Sequence, residues 1–282
     1  MKFSVLIVNY ASWPLTLRCI ASLRETRYEG FEIIVIDNDS VEPPELPSRV
    51  RLIRNEENIG FAGAHNRGIA ASDGDPIVLI NPDTLVERDF FEHLEGFLSR
   101  NPRVGISGPR ILDSEGELQL SARREISILT GFLGRTSLLT RLFPKSSLVK
   151  SQFPAVTEQY HPTPVDWVSG ACMVVRRETL RDVGPLDERF FMYFEDADLC
   201  RRARAAGWLV YYLPQIEVFH HSGASSRNRT RAIWDLHKSA FLYHRKHGPH
   251  GPLGLYSLLT LVGLVGRGLV RLAAAALAKS GR

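Results

Sequence analysis

Four short clusters gather the residue types that carry polar chemistry: Asp37-Asn38-Asp39-Ser40, Asn81-Pro82-Asp83-Thr84, Glu195-Asp196-Ala197-Asp198 and His220-His221-Ser222-Gly223-Ala224-Ser225. Carboxylates hold hard cations or take a proton from a hydroxyl, and imidazoles ligate metals. Taken singly, each cluster has a plainer account. Asp-Asn-Asp and Asn-Pro-Asp are turn formers, and acids in the first turn of a helix complement its dipole. Asp198 and Arg202 are spaced as an i,i+4 ion pair on an exposed helix face. The two histidines read either as a metal ligand with its neighbour or as a strand-end pair packed against the C-terminal segment.

These clusters need elements to hold them. The first hundred residues alternate short apolar runs with amphipathic stretches of helical length, which predicts a parallel sheet with crossover helices. Phe3 to Val8 reads as a buried strand, Pro14 to Arg24 as a helix opened near Ser12, and Phe31 to Asp37 as a second strand. Phe61 to Ala71 suits a helix and Ile77 to Ile80 a further strand. Asp37 and Asp83 thus fall at the C-terminal ends of parallel strands, the edge at which open α/β sheets bind ligands. Between Leu120 and Pro164 the periodicity dissolves. Arg123, Arg124, Arg135, Arg141, Lys145 and Lys150 lie among leucines there, and the stretch reads as an irregular, partly helical insertion. Val165 to Glu178 reads as a buried strand. A helix from near Glu195 carries Leu199, Cys200, Ala203 and Ala206 to a stop at Gly207. No internal repeat and neither a G-x-G-x-x-G nor a G-x-x-x-x-G-K-[ST] run occurs, which weakens dinucleotide-dehydrogenase and P-loop readings.

In their order and separation the clusters resemble those of the family 2 inverting glycosyltransferases, in particular the bacterial branch that contains rhamnosyltransferases. The match runs from about Phe3 to Ser225. It implies the GT-A fold, a Rossmann-like α/β architecture with a mixed, mainly parallel sheet and flanking helices. Val5 to Ser12, with Asn9 and Tyr10, resembles the opening strand and its nucleotide-facing loop. Asp37, with Asn38 beside it, matches the acid that binds the nucleotide base. Asn58 to Ile69 resembles the next donor-facing segment, with Gly60, Phe61, Gly63 and Asn66. Asn81-Pro82-Asp83 stands where the family has Asp-x-Asp, so Asp83 is the main carboxylate for a divalent ion, Mn2+ or Mg2+. His220, Gly223 and Ser225 match the family's His-x-x-Gly-x-Ser, with His221 as the alternative ligand.

The resemblance also implies a base. Phe194 to Trp208 resembles the Glu-Asp motif in which the Asp deprotonates the acceptor hydroxyl, here Asp196, with Glu195 on the acceptor or at the helix start. Trp167, Gly170 and Ala171 stand where the family lines the acceptor or sugar pocket; Trp167 reads equally as a core residue. The implied reaction is a single displacement from a nucleotide-diphosphate sugar donor, with L-rhamnose from a thymidine diphosphate donor implied by the branch, onto a lipid-linked or glycan acceptor. The alternatives are hexosyl or aminohexosyl transfer from a uridine diphosphate donor, and a non-catalytic nucleotide-sugar or glycan-binding relative.

Composition bounds this reading. A chain of 282 residues with 44% hydrophobic and 23% charged residues can bury a large core, which excludes disordered and fibrous classes. Cys19, Cys172 and Cys200 show no disulfide or metal spacing and read as reduced core thiols of a cytosolic protein. Met1-Lys2-Phe3 leads straight into Val5-Leu6-Ile7-Val8, too short for a signal-peptide apolar region. The net charge of +4 is unevenly spread: Arg227 to Arg282 holds ten Lys or Arg and one acid, Asp235, a local +9 against −5 for the rest. Leu253 to Gly266 is uncharged, and Arg267 and Arg271 follow one helical turn apart. The expected division is therefore a catalytic domain over 1–226 and a basic, amphipathic helical tail over 227–282. That tail is expected to lie on an anionic membrane surface at the cytoplasmic face, with a core helix and a tilted span as alternatives. No nucleic-acid-binding module is recognisable. The sequence admits a homo-oligomer without arguing for one.

Overall fold

The computed structural model describes residues 1–38, 42–125, 161–221 and 229–248, together with 262, 263, 265, 266 and 268. Its elements run β1 (Phe3–Asn9), α1 (Trp13–Arg24), β2 (Phe31–Asn38), β3 (Val50–Asn55), α2 (Gly60–Ala71), β4 (Ile77–Ile80), β5 (Thr84–Val86), α3 (Phe90–Arg100) and β6 (Val104–Leu112). There follow β7 (Leu118–Gln119), β8 (Ala122–Arg123), β9 (Thr163–Pro164), β10 (Trp167–Val168), β11 (Cys172–Val175), α4 (Arg177–Val183), α5 (Glu195–Ala205), β12 (Leu209–His220) and α6 (Arg229–His247).

The main sheet has the order β3-β2-β1-β4-β11-β6-β12-β5. Its first four strands are parallel, β11 lies antiparallel between β4 and β6, and β12 returns parallel to β6. Continuous apolar runs form these strands because both faces are covered. Val5, Ile7, Ile33, Val35, Val78 and Ile80 point into a layer closed by Cys19, Ile20 and Leu23 of α1 and the phenylalanines of α3. Leu6, Ile34, Ile36, Ile77 and Leu79 point the other way, onto α2 and onto Leu199, Cys200 and Ala203 of α5. Each fully buried aliphatic side chain contributes about 1.5–3 kcal/mol. All three cysteines are free and buried, and burial raises their thiol pKa values.

Three expectations change. The single strand from Val165 is broken: β10 leaves the main sheet to pair with β8, and Ser169 to Ala171 turn the chain back into β11. The irregular insertion starts later than Leu120, since Ala122 is buried in the core and β8 is an ordered strand; residues 126–160 lie outside the described ones. Arg229–His247 is no detached tail. Ser239, Ala240, Tyr243 and His244, at helical spacing, are buried against the body, and Tyr243 packs with Phe190 and Phe194. The strand-end partner Gly223-Ser225 and most of 249–282, including Arg267 and Arg271, lie outside the described residues. Among the described residues no helix is long and apolar enough to cross a membrane.

Candidate active site

The C-terminal ends of β1, β2 and β4 lie side by side, and register fixes what they present. Asn9 of β1 pairs with Asp37 of β2, and Asp37 in turn with Arg54 of β3. Asn9 Nδ2 donates to Asp37 Oδ1 at 3.0 Å, while its Oδ1 accepts from Ser12 Oγ and Thr16 Oγ1 at 3.0 and 2.8 Å. Asn9 is buried, so it anchors the β1–α1 turn and aims Asp37. The other oxygen of Asp37, Oδ2, is buried without a hydrogen-bond donor, 3.7 Å from Arg54 Nε. It is placed to accept from an N–H donor. Tyr10, the residue after Asn9, is 45% exposed.

Asn38 and Asn66, both expected on the donor, are committed to the scaffold. Asn38 Nδ2 donates to Asn58 Oδ1 at 2.7 Å, and its Oδ1 accepts from Asn55 Nδ2 and the Ile59 N–H. Asn66 Nδ2 donates to the Leu186 carbonyl and Glu188 Oε1, and its Oδ1 accepts from the Leu186 N–H. Gly60 admits a close approach, but of protein: at φ +81°, a Cβ there would sit 2.5 Å from the Phe191 carbonyl. The Phe61 N–H donates to that carbonyl at 2.7 Å. Gly63 faces Ile59. The segment from Asn58 therefore braces the loop that leads into α5.

At the end of β4, Asp83 is 2% exposed and its Oδ1 has no hydrogen-bond donor. His220, at the end of β12, brings Nε2 to 3.2 Å from that oxygen, in a geometry that makes no hydrogen bond. Asn81 Nδ2 lies 3.3 Å from the same Nε2. His221 contributes its backbone, donating its N–H to the Asp83 carbonyl at 3.0 Å. Of the two histidines, His220 thus faces the carboxylate. Among the described residues no three His, Cys, Asp or Glu side chains gather as a metal cage. An orphaned carboxylate oxygen beside an imidazole nitrogen still fits a divalent ion, because Mg2+ and Mn2+ often take only one or two protein ligands and complete their shells with phosphate oxygens and water.

The second acidic centre is the start of α5. Tyr193 and Phe194 both adopt left-handed conformations, at φ 72° and 70°, before the helix begins. Strain of that kind collects at functional sites. Asp196 Oδ2 accepts from the Gly170 N–H at 2.9 Å and Oδ1 from the Ala197 N–H at 2.8 Å. A Cβ on Gly170 would lie 3.4 Å from Phe61 and 3.6 Å from Asp196, so Phe61, Gly170 and Asp196 converge. Burial raises the Asp196 carboxyl above the usual carboxylate range, against the two backbone donors. Burial, and then the adjacent Asp196 charge, push Glu195 well above its ordinary value, and its buried Oε2 has no partner.

One short segment joins the two centres. The Asn81 N–H donates to the Ala171 carbonyl at 3.0 Å, and the Gly170 N–H holds Asp196. Beside this bridge, a cleft of about 270 Å³ is lined by Asp113, Gln119, Ser121, Arg123, Ser169 and His220. Trp167, half-buried, donates from Nε1 to the Arg124 carbonyl at 3.0 Å, and Arg123 lies over its ring at 5.1 Å. Gln119 and Arg123 were not among the sequence candidates. They lie where apolar periodicity fails, and no local signal distinguishes them.

Asp198 differs from its expected exposed pairing. It bonds Arg202 Nε at 2.8 Å, as the spacing predicts, but it is fully buried and also meets Lys246 Nζ and His247 Nε2 of α6, each at 2.6 Å. Burial opposes its charge; bonds from His247, Lys246 and Arg202 outweigh this and hold its carboxyl below the ordinary value.

Comparison with known proteins agrees with this architecture. The family model described as "Glycosyl transferase family 2" matches residues 4–184. The N-acetylglucosaminyl-diphospho-decaprenol L-rhamnosyltransferase of Mycobacterium tuberculosis is 34% identical over 258 residues, covering 85% of this chain and 82% of that protein. The rhamnosyltransferase WbbL of Escherichia coli K12 is 26% identical over 231 residues, 76% of this chain and 82% of that one. Among solved structures, the Pyrobaculum calidifontis mannosyltransferase PcManGT, in complex with GDP-Man and Mn2+, superposes with a TM-score of 0.57 at 17% identity, over 99% of this chain and 79% of that one. GalNAc-T7 with UDP, GalNAc and Mn2+ gives 0.59 at 16% identity, over 90% of this chain and 52% of that one. With its strand-end acids, its GT-A sheet and these matches, the chain belongs to glycosyl transferase family 2.

Proposed function

We propose that this protein transfers L-rhamnose from a thymidine diphosphate donor to a lipid-linked glycan acceptor, with inversion at the anomeric carbon. The relatives named as rhamnosyltransferases support the sugar, and the decaprenol-linked substrate in one of their names supports the acceptor class. The observation that carries the reading is the Gly170-Ala171 bridge, which links the Asp196 carboxylate to the turn after β4 that bears Asp83, where His220 of β12 also ends.

In this scheme Asp37 accepts a hydrogen bond from the imide N–H of the base, and Tyr10 offers an exposed ring. Asp83 and His220 would hold Mn2+ or Mg2+. Such an ion neutralises charge that builds on the diphosphate oxygens as the glycosidic bond breaks. Asp196, oriented by the Gly170 and Ala197 N–H groups, takes the proton of the acceptor hydroxyl as that oxygen attacks the anomeric carbon. Gly170 packs between Phe61 and Asp196 and holds the carboxylate through its N–H, and Trp167 and Glu195 border the acceptor side. The attack leaves no covalent link to the enzyme.

The test incubates the purified protein with a panel of thymidine and uridine diphosphate sugars, Mn2+ and a crude lipid-linked acceptor, and follows nucleoside diphosphate release. Release is expected with the rhamnose donor and is abolished by EDTA. Asp196→Asn is expected to keep donor affinity and lose about 10²–10⁴-fold in kcat. Release confined to a uridine diphosphate hexose would replace the sugar assignment, and no release with any donor would leave a binding protein.

A further inference from the structure

The hairpin after β6 serves one side chain. Asp113 Oδ1 accepts from the Glu115 and Glu117 N–H groups, Gly116 turns at φ +80°, and β7 returns antiparallel with Gln119 opposite Ile111. Gln119 then reaches His220 twice. Its Nε2 donates to the His220 backbone carbonyl at 2.8 Å, and its Oε1 lies 2.9 Å from His220 Nδ1.

The two contacts fix each other. A backbone carbonyl can only accept, so the amide must direct its NH2 there and its oxygen toward Nδ1. An amide oxygen can only accept, so Nδ1 must carry the proton. The neutral ring then has its lone pair on Nε2. Asn81 Nδ2, which can only donate, stands 3.3 Å from Nε2 and suits the same tautomer. The lone pair then lies on the Nε2 edge of the ring, with Asp83 Oδ1, itself without a donor, 3.2 Å from that nitrogen. Two electron-rich atoms at that distance repel unless a positive charge bridges them. Gln119 is itself too far round the ring to touch such an ion, and acts through the imidazole.

We infer that Gln119 is a positioning residue that locks His220 as the Nδ1–H tautomer and so presents Nε2, together with Asp83, to a divalent cation. The inference rests on the proposed reading of this strand end as a metal-binding edge and adds what tunes it.

The experiment uses the full chain with 15N-labelled histidine. Long-range proton–nitrogen correlation of the metal-free protein reads the tautomer, with His220→Gln identifying the signal. Electron paramagnetic resonance of free Mn2+, with thymidine diphosphate present, reads the affinity. Wild type is expected as the Nδ1–H form. Gln119→Met, of similar size and without the amide, is expected to mix the tautomers and weaken Mn2+ binding about 10-fold or more. Gln119→Glu keeps an acceptor at Nδ1 and is expected to hold the tautomer and bind Mn2+ within a few-fold of wild type. A Met variant with unchanged tautomer and affinity within 2-fold, or a Glu variant as weak as Met, overturns the role of Gln119. Wild-type protein that binds no Mn2+ overturns the metal edge itself, whatever the tautomer.

Discussion

At the scale of residues, the neighbours Glu195 and Asp196 divide their labour through hydrogen bonding. Asp196 receives two backbone N–H groups, whereas Glu195 Oε2 is buried with none. Asp196 therefore ionises first, and its charge then holds the proton on Glu195. Both carboxyls titrate above their unfolded values, so their contribution to stability is complete below the unfolded pKa, about 4, and is lost as pH rises through the folded values. Glu195→Gln makes the neutral form permanent. Its unfolding free energy is expected to match wild type near pH 4 and to exceed it increasingly toward pH 8, by about 1.4 kcal/mol for each unit by which the Glu195 pKa is raised, read as a rising difference in melting temperature. With Asp196 as the proposed base, the acid limb of kcat/KM is expected above the ordinary carboxylate range and to stay in place in the variant, because Glu195 is already neutral where Asp196 titrates. A variant with parallel stability curves at all pH values would show that Glu195 is ionised in the wild-type fold.

At the scale of elements, legibility followed periodicity. β1, β2, β4, α1, α2 and α5 could be read within a residue or two, because strands covered on both faces leave unbroken apolar runs and helices leave a 3.6-residue stripe. Asp37 and Asp83 were legible as candidates from their place at or just past strand ends, and Asp196 from the resemblance of the segment that opens α5. Gln119 was not, because a two-residue strand carries no period, and its partner is set by a hairpin contact 101 residues away in sequence. The docking of α6 was missed for a related reason: its cations read as part of a basic tail on a membrane surface, although Lys246 and His247 close on the buried Asp198. That contact makes a prediction about α5. Asp198→Ala leaves Arg202, Lys246 and His247 facing one another without their shared anion, which is expected to cost about 3 kcal/mol, or roughly 6–12 °C in melting temperature. Truncating Asp235, whose pair with Arg231 is a long 3.7 Å and leaves the guanidinium mostly in solvent, is the control and should change stability by less than about 1 kcal/mol. Equal losses in the two variants would mean that the Asp198 cluster does not hold α6 in place.

At the scale of the molecule, charge and site are joined through α6. Its inner face reaches the loop before α5, where Ser239 Oγ donates to the Met192 carbonyl at 2.7 Å and Lys246 bonds Asp187 at 2.7 Å. Its outer face exposes Arg231, Lys238 and Arg245 around Trp234, which is 67% exposed, and Val262 and Val265 beyond it are exposed as well. An indole ringed by cations suits the headgroup region of an anionic bilayer, where each Lys or Arg near the surface contributes about 1 kcal/mol. With Arg227 to Arg282 at a net +9 and residues 1–226 at −5, an anionic bilayer is expected to draw this C-terminal segment toward it. Orientation matters for a lipid-linked acceptor, which arrives from the membrane plane. The full chain is expected to cosediment with phosphatidylglycerol vesicles and not with phosphatidylcholine, and to be released by salt, since the attraction is screened over about 8–10 Å at 0.1–0.15 M. Converting Arg231, Lys238 and Arg245 to glutamate should lower that partitioning by at least about 100-fold, while soluble-acceptor activity is retained because none of the three lines the site. Partitioning unchanged by the triple substitution would move the membrane contact off α6 altogether.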